Sequence, residues 1–195
     1  MGTLGNRAIG QAGDRMSDGF YTALLTHFEA LEQELNQLDA ATGDGDHGTT
    51  LVKGLRAIVE DENNPPVKVF RRAAGGASGS LFAQLISAFN QVLFERAELK
   101  MSLQGAADRI SQLGQAVAGD KTMLDALLPA AQAEDIEAMV SAAQKGADAT
   151  TSMIAKRGRA RYVEGGGAGH KDAGATSVAE MLSVFARYYR LNPTG

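Results

Sequence analysis

The chain has 195 residues, a formal net charge of −4 and no cysteine. This length suits one domain with a sizeable core, and 44% hydrophobic with 22% charged residues is ordinary for a globular protein in water. The negative charge argues against a broad nucleic-acid-binding surface, and the lack of cysteine excludes disulfides and cysteine-bound zinc. No apolar run is long enough to cross a membrane, and the start lacks the apolar segment of a secretory signal. We therefore expect a cytoplasmic protein that binds neither nucleic acid nor membrane.

Apolar residues recur at intervals of three and four along most of the chain, which predicts amphipathic helices. The first stripe runs from about Gly13 to Leu38, and a second helix is expected to begin at His47 or Gly48. The polar turn at 61–66 ends that second helix. Later helices are predicted at 67–74, 81–93, 102–117, 124–129, 134–157 and 174–189, with loosely ordered tails at 1–12 and 191–195.

No segment alternates polar and apolar residues with the period of a strand. The pattern predicts an all-α fold, an antiparallel barrel or bundle of seven or eight helices in one domain, 1–195.

The segment 38–50, LDAATGDGDHGTT, places Asp39, Asp44 and Asp46 close together. At an effective dielectric of about 20 and a separation of about 5 Å, each pair of carboxylates costs about 3 kcal/mol. A fold that brings them together is expected to hold a cation between them, and oxygen ligands suit Mg²⁺, Ca²⁺ or Mn²⁺. Because Asp-Gly is also a common turn dipeptide, a purely structural acidic turn is the alternative.

The spacing of the acidic residues and glycines tests three known motifs, the EF-hand, the Walker A loop and the dinucleotide fingerprint. An EF-hand needs an acidic ligand at its twelfth position, but counting from Asp39 reaches Thr50 and counting from Asp44 reaches Leu55. A Walker A loop is interrupted by Asp120, and a dinucleotide fingerprint needs a strand that is absent from the pattern. The remaining possibility is a carboxylate-bound metal that holds phosphate beside the N-terminus of the second helix.

Polar, Gly-rich loops follow alternate helices, at 39–50, 75–79, 119–123 and 158–174. In an up-and-down arrangement alternate loops lie at the same end, so we expect the four loops to meet on one rim. The segment 75–79 has two explanations, close helix packing with Ser78 as an N-cap, or backbone approach to a ligand. Asp120 or Thr122 is expected to cap the next helix, and His27 is expected to be a structural or surface histidine.

Five blocks resemble the nucleotide-binding L subunit, or L domain, of dihydroxyacetone kinases. They are LDxxxGDGDHG at 38–48, GGASG at 75–79, GDKTMxDALxP at 119–129, GRAxY at 158–162 and GHxDxGATS at 169–177. The blocks occur in the family's order, and the match covers nearly the whole chain.

The resemblance implies an eight-helix barrel with a nucleotide at one end. Asp39, Asp44 and Asp46 would bind two Mg²⁺ ions, and these carboxylates together with Arg159 would serve catalysis of phosphoryl transfer. Lys121 is expected to have a structural or long-range role, and His170 to order the last loop. The implied contacts to ATP or ADP are His47, Gly48, Thr49, Thr50, Ala77, Ser78, Gly114, Thr122, Met123, Arg159, Asp172, Ala173 and Gly174.

The resemblance also implies a partner, because a separate K subunit binds the ketose covalently and the L part presents the phosphoryl donor. Either ATP exchanges freely, or ADP stays bound and is rephosphorylated by a phosphotransferase-system protein. A non-catalytic nucleotide-bound module, a stand-alone phosphohydrolase and a homodimer are further possibilities, and the ketose can be dihydroxyacetone or a tetrulose. Thr50 and Ala173 depart from the usual Asn and Pro, and the Gly-rich loop 163–168 favours a mobile lid and free ATP exchange.

Overall fold

The computed structural model describes residues 5–61 and 63–192, with side chains from residue 19 onward. Eight α-helices are present, and no strand occurs within these two ranges. Three short 3₁₀ turns, Thr150–Ser152, Arg159–Tyr162 and Glu164–Gly167, lie between the last two helices. The helices are α1 (Gly5–Ala40), α2 (His47–Glu60), α3 (Pro66–Ala74), α4 (Gly76–Glu95), α5 (Leu99–Gly114), α6 (Leu124–Gln132), α7 (Ile136–Ala149) and α8 (Ala173–Leu191).

Each helix packs against the next one in the chain, and α8 packs against α1. Short connections reverse the direction of successive helices, so this order of contacts closes an antiparallel barrel. The predicted all-α fold of eight helices is confirmed. In the part of the chain that the structure describes, no helix combines the length and apolar character needed to cross a bilayer.

Aromatic rings fill the barrel interior. Phe20, Phe89 and Phe185 are fully buried, with ring centroids 5.4 Å apart for Phe20 and Phe89 and 4.9 Å for Phe89 and Phe185. The predicted stripe of α1 supplies this core, since Leu24 and Phe28 are also fully buried. Offset and edge-to-face rings add specific packing to the burial of apolar area, and this fixes the distance between α1, α4 and α8.

The chain ends differ from the expected boundaries. The helix α1 begins at Gly5 rather than near Gly13, and α8 continues to Leu191. Residues 1–4 and 193–195, which belong to the segments expected to be loosely ordered, lie outside the described residues.

The segment 75–79 separates α3 from α4 by a single non-helical residue. Gly75 has φ 68°, a conformation that favours glycine, and α4 begins directly after it at Gly76. An N-cap at Ser78 is therefore wrong, since Ser78 lies inside the first turns of α4 and Gly75 is the residue that precedes the helix.

The helix α7 ends at Ala149, earlier than the predicted end at Arg157. The basic pair Lys156 and Arg157 suggested a helix C-terminus, but both side chains point toward the buried carboxylate of Asp120, at 3.7 and 3.8 Å. A tertiary contact therefore explains two basic residues of a type that is otherwise common at a helix C-terminus.

Three of the four polar loops meet at one end of the barrel. A Cβ placed on Gly167 in the α7–α8 loop would lie 2.5 Å from the Thr42 methyl in the α1–α2 loop and 3.5 Å from Lys121 Cε in the α5–α6 loop. A Cβ on Gly174 would lie 3.4 Å from Cβ of Met123. The fourth loop, between α3 and α4, precedes another helix that starts at this end. We call this end the rim.

Candidate functional site

The acidic loop between α1 and α2 folds around Asp39. One oxygen of the Asp39 carboxylate accepts the backbone N–H of Gly45 at 2.9 Å and that of Asp46 at 3.2 Å. The turn requires glycine at two points, because Gly45 has φ 76° and a Cβ on Gly43 would lie 2.5 Å from the Asp39 carboxylate oxygen. The sequence GDGD thus bends the chain so that later carboxylates return to Asp39.

Asp39, Asp44 and Asp46 each present a carboxylate oxygen within 4.8 Å of the others. Mg²⁺ takes oxygen ligands at about 2.0–2.1 Å, so two of its ligands lie about 3 to 4 Å apart. The spread of the three oxygens fits that requirement with small side-chain movements. Asp44 and Asp46 are exposed and Asp39 is half-buried, so the cluster opens to solvent on the rim.

The carboxylates already interact with a cationic group of the chain. Arg159, in the α7–α8 loop, donates a hydrogen bond to Asp44. Desolvation would raise the pKa of Asp44, but the hydrogen bonds from Arg159, the backbone and Asp46 outweigh it and lower that pKa. Desolvation and the neighbouring Asp44 raise the pKa of Asp46. Asp44, next to Arg159, is therefore the more readily ionised of these two carboxyls.

His47 begins α2, but its ring faces the barrel interior. Its Nε2 lies 2.9 Å from the Ser177 hydroxyl of α8, and the ring meets Phe82 of α4 edge to face at 5.6 Å. Burial lowers the pKa of His47 to about 4, so the imidazole is neutral at physiological pH. The implied phosphate contact of His47 is thus restricted to its backbone, and its side chain joins α2, α4 and α8.

Two residues of α1 that sequence reasoning missed contact the start of α2. Asn36 accepts the backbone N–H of Thr49 at 3.1 Å, and Glu32 accepts the Thr49 hydroxyl at 2.8 Å. Asn36 therefore caps α2 from a neighbouring helix, since Asp46 makes no side-chain capping bond. The spacing of Glu32 and Asn36, four residues apart beside the apolar stripe of α1, was the available signal.

Close backbone packing sets the position of the α2 start. A Cβ on Gly48 would lie well under 3.0 Å from the carbonyl oxygen of Glu32. Gly48 therefore allows α2 to touch the α1 backbone, which holds the acidic loop between the two helices.

The α5–α6 loop is folded by Asp125, a third residue whose role is not evident from the sequence. Its carboxylate accepts the backbone N–H of Gly119 at 2.5 Å and that of Thr122 at 2.8 Å. The Thr122 hydroxyl accepts the N–H of Leu124 at 3.3 Å, but Met123 is the residue that precedes α6, so the cap predicted at Asp120 or Thr122 is displaced along the chain. Met123 is buried beneath the loop and touches the start of α8 at Gly174.

Lys121 lies at the centre of this loop and is only 2% exposed. Its ammonium donates to the carbonyl oxygens of Thr150 and His170, each at 2.5 Å. Burial lowers the pKa of Lys121, and the carboxylates of Asp172 and Asp125 oppose that shift. The expected structural role of Lys121 is confirmed by these contacts.

The α8 helix begins at the rim under a side-chain cap. The Asp172 carboxylate accepts the N–H of Ala175 at 2.7 Å, and the Asp172 amide donates to the Thr150 hydroxyl at 2.9 Å. Burial raises the pKa of Asp172 to about 6. Ala173 is buried in the first turn, and Gly174 faces Met123, so α8 meets the α5–α6 loop at Gly174.

The start of α4 is an open part of the rim. A Cβ on Gly75 or Gly76 would meet nothing within 4 Å, Ala77 is exposed and Ser78 is half-buried. No side chain caps α4, so its first turn presents backbone N–H groups to the same end as the acidic cluster. Gly114 ends α5 at this end as well.

The Gly-rich loop after α7 is partly explained by packing. Gly166 and Gly167 are buried, and a Cβ on them would lie 2.6 Å from Ile154 Cγ2 and 2.5 Å from the Thr42 methyl. Their presence therefore gives close contact rather than mobility. Within the loop 163–168 only Gly165 combines positive φ with open surroundings, so it alone of these glycines is compatible with the expected mobile lid.

The structure thus brings Asp39, Asp44, Asp46 and Arg159 into one cluster, with the start of α2 directly beside it. A model of the DAK2 domain family matches residues 41–187. The chain belongs to the DAK2 domain family. Its resemblance to the L part of dihydroxyacetone kinases is confirmed by the relatives.

The chain is 34% identical to the D-erythrulose kinase of Mycolicibacterium smegmatis, over 95% of its own length and 37% of that protein. It is 32% identical to the ADP-binding subunit DhaL of the PEP-dependent dihydroxyacetone kinase of Escherichia coli, over 82% of its own length and 89% of that subunit. It therefore spans about a third of the first relative and most of the second. Both relatives are named as kinases or kinase subunits.

A solved structure gives the same result for the fold. The crystal structure of the Citrobacter freundii dihydroxyacetone kinase in complex with AMP-PNP and Mg²⁺ matches with a TM-score of 0.66 and 28% identity. The match covers 87% of this chain and 33% of that one. The family relationship therefore includes a kinase that has been seen with a nucleotide analogue and magnesium.

Proposed function

We propose that this chain is the nucleotide-binding part of a ketose kinase. It holds Mg²⁺-bound ATP at the rim and presents the γ-phosphoryl group to a ketose of the dihydroxyacetone or tetrulose type that is bound by a separate K-type subunit. The observation that supports this most directly is the cluster of Asp39, Asp44 and Asp46, which lies beside the start of α2 and opposite Arg159.

The donor set favours magnesium with phosphate over a purely structural acidic turn. A turn needs one carboxylate to accept backbone N–H groups, and Asp39 does that for Gly45 and Asp46. Asp44 bonds only the backbone of its own residue, and the exposed side chains of Asp44 and Asp46 leave their carboxylates open to solvent. Three carboxylates accommodate one or two Mg²⁺ ions, of which two is our proposal, and bound Mg²⁺ supplies the positive charge that offsets the phosphates.

The chain's own groups then position the nucleotide. The Thr49 amide already donates to Asn36, so it is not available to a phosphate. The remaining phosphate donors at the start of α2 are the amides of His47 and Gly48, next to the hydroxyl of Thr50. The uncapped first turn of α4, with Ala77 and Ser78, is the second set of backbone donors. Gly114, Thr122 and Met123 are proposed to border the adenosine, and Asp172, Ala173 and Gly174 to close the site.

Arg159 is proposed to leave Asp44 when a metal ion binds there and to stabilise charge on the phosphoryl group in transit. No side chain of the rim acts as a nucleophile in this scheme, and the ketose hydroxyl attacks the γ-phosphorus directly, with ADP as the leaving group.

The proposal is tested by reconstitution with the K-type subunit of a related kinase, dihydroxyacetone and Mg²⁺-ATP. The wild-type chain should give dihydroxyacetone phosphate only when both proteins are present. Asp44→Ala and Asp46→Ala should each abolish transfer, at least about a hundredfold, with unchanged helical circular dichroism because both residues are exposed. The matched control is Asp108→Ala, which removes an exposed carboxylate on α5 that bonds Gln104. ATP hydrolysis without a partner would instead indicate a phosphohydrolase.

The donor is tested separately. The relative from Escherichia coli is described as PEP-dependent and ADP-binding. If this chain exchanges ATP freely, as we propose, protein purified without added nucleotide should be empty by mass spectrometry under native conditions. Stoichiometric ADP that survives dialysis would support a phosphotransferase-system donor. Nucleotide that binds without transfer to any acceptor would indicate a regulatory module, and the same spectra report whether the chain is a homodimer.

A further inference from the structure

A buried cation lies outside the acidic cluster, between two of the rim loops. The Lys121 ammonium contacts Thr150, where α7 ends, and His170, shortly before α8 begins. These two carbonyl oxygens stand at opposite ends of the loop 151–169. The side chain of Lys121 therefore spans the base of a loop to which it does not belong.

Other bonds close the same base. The Gly169 amide donates to the Thr151 carbonyl at 2.8 Å, and the Asp172 amide donates to the Thr150 hydroxyl at 2.9 Å. Lys121 inserts at this crossing, and its methylenes touch Gly167, where a Cβ would lie 3.5 Å from Cε. The ammonium thus satisfies carbonyl oxygens that the loop's own amides leave available.

The backbone of Lys121 is adapted to this position. Its φ is 60°, in the left-handed region that residues other than glycine adopt at a cost of about 1 kcal/mol or more. Such a conformation persists where surrounding contacts determine it. Here Asp125 holds the amides of Gly119 and Thr122 on either side of Lys121, so the loop aims the side chain inward.

The loop that Lys121 closes carries Arg159, whose guanidinium reaches Asp44 across the rim. We propose that Lys121 is a positioning residue, which fastens the base of the loop 151–169 and thereby holds Arg159 over the acidic cluster. This inference rests on the proposed function for its consequence in catalysis, but the fastening itself is a property of the folded chain alone.

The first experiment is hydrogen exchange measured by mass spectrometry on the Lys121→Met variant, which keeps the methylenes and removes the ammonium. Amides of 151–169 should exchange about tenfold faster or more, while α1 to α5 keep their protection. The control is Lys171→Met, which removes an exposed lysine at the end of the same loop that pairs with Asp148. Unchanged exchange in the loop, or a uniform loss in all helices, would overturn the proposal.

The second experiment asks whether Lys121 acts through Arg159. Mn²⁺ affinity is measured without nucleotide for Lys121→Met, Arg159→Gln and the double variant. Each single variant should bind Mn²⁺ more tightly, because Arg159 no longer competes for Asp44, and the double variant should match Arg159→Gln alone. Effects that multiply would show that Lys121 does not act through Arg159 and would overturn the inference.

If Lys121→Met does not fold, Lys121→Gln keeps an N–H donor at this site and is expected to give the same changes at smaller size. Failure of the proposed function can be told apart from failure of this inference. Even if the chain binds no Mn²⁺ and transfers no phosphate, hydrogen exchange still measures whether Lys121 fastens the base of the loop. Faster exchange confined to 151–169 would support it, and exchange like that of the wild type would reject it.

Discussion

Arg159 and Asp44 form a hydrogen-bonded ion pair that joins the α7–α8 loop to the acidic loop. The guanidinium thus occupies part of the space in which a divalent cation would meet the Asp44 carboxylate. We therefore expect arginine and a divalent cation to compete at this carboxylate, and the pair to loosen when a metal ion binds the three aspartates.

Arg159→Gln should therefore have opposite effects on metal binding and on catalysis. Affinity for Mg²⁺ alone should rise about two- to fivefold, since the pair is exposed and worth little on its own. Phosphoryl transfer in the reconstituted kinase should fall at least about a hundredfold. Isothermal titration and the coupled assay measure the two effects.

The control for this prediction is Arg161→Gln, which removes a neighbouring exposed arginine whose guanidinium lies 4.5 Å from the Tyr162 ring centroid. It should leave Mg²⁺ affinity unchanged. Weaker Mg²⁺ binding in Arg159→Gln than in the wild type would contradict the competition between arginine and metal.

Gly43→Ala should remove metal binding without unfolding the protein. The new methyl would lie 2.5 Å from the Asp39 carboxylate oxygen, so Asp39 has to turn away from the cluster. We expect at least a tenfold loss of Mg²⁺ affinity by titration, with little change in melting temperature because the loop is on the surface. An affinity within twofold of the wild type would show that Asp39 is not a ligand.

Gly48→Ala should destabilise the fold itself. Its Cβ would clash with the Glu32 carbonyl, and two helix backbones have to separate, which costs about 3 kcal/mol or more. Urea unfolding followed by circular dichroism measures this change. The matched control is Gly105→Ala in α5, where a Cβ meets only the Arg109 guanidinium at 3.6 Å. That variant should gain about 0.4–1 kcal/mol of stability.

Asp172→Asn should alter how stability depends on pH. Burial raises the pKa of Asp172 to about 6 from an ordinary value of 3.8. The protonated carboxyl therefore stabilises the folded state. This contribution is fully present below pH 3.8 and is lost as the pH rises through 6. The asparagine variant keeps a capping oxygen and avoids this loss. Its stability relative to the wild type should increase by about 3 kcal/mol at most between pH 4 and pH 7.

Urea unfolding of both proteins at several pH values measures that difference. Burial lowers the pKa of His47 to about 4, so this residue decreases the stability of the folded protein as the pH falls below 6.5. Both proteins contain His47, so its contribution cancels in the difference between them. A difference that stays constant with pH would contradict the raised pKa of Asp172.

The local features of this fold were accessible from the sequence. The stripe of α1, the start of α2 at His47 and the end of α2 before the turn at 61–66 follow from residue spacing and turn chemistry. The convergence of Asp39, Asp44 and Asp46 also followed, because the turn that joins them is local and its glycines are visible in the sequence.

Features that depend on distant partners were not accessible. His47 stands next to the aspartates in sequence, yet the helical rotation directs its ring inward to Ser177, 130 residues away. Lys156 and Arg157 are of a type common at a helix C-terminus, but their actual partner is Asp120 in another loop, which the local sequence does not reveal. The part of the site that remained hidden is thus the part that long-range contacts determine.

The order of helices around the barrel also has a practical meaning for protein engineering. The first helix starts, and the last helix finishes, at the end opposite the acidic loop, since each traverses the barrel once in its own direction. An affinity tag, a fluorophore or a covalently joined second domain that continues from the start of α1 or the end of α8 therefore departs from the end opposite the rim, and leaves open the face on which the proposed substrate-carrying partner would act.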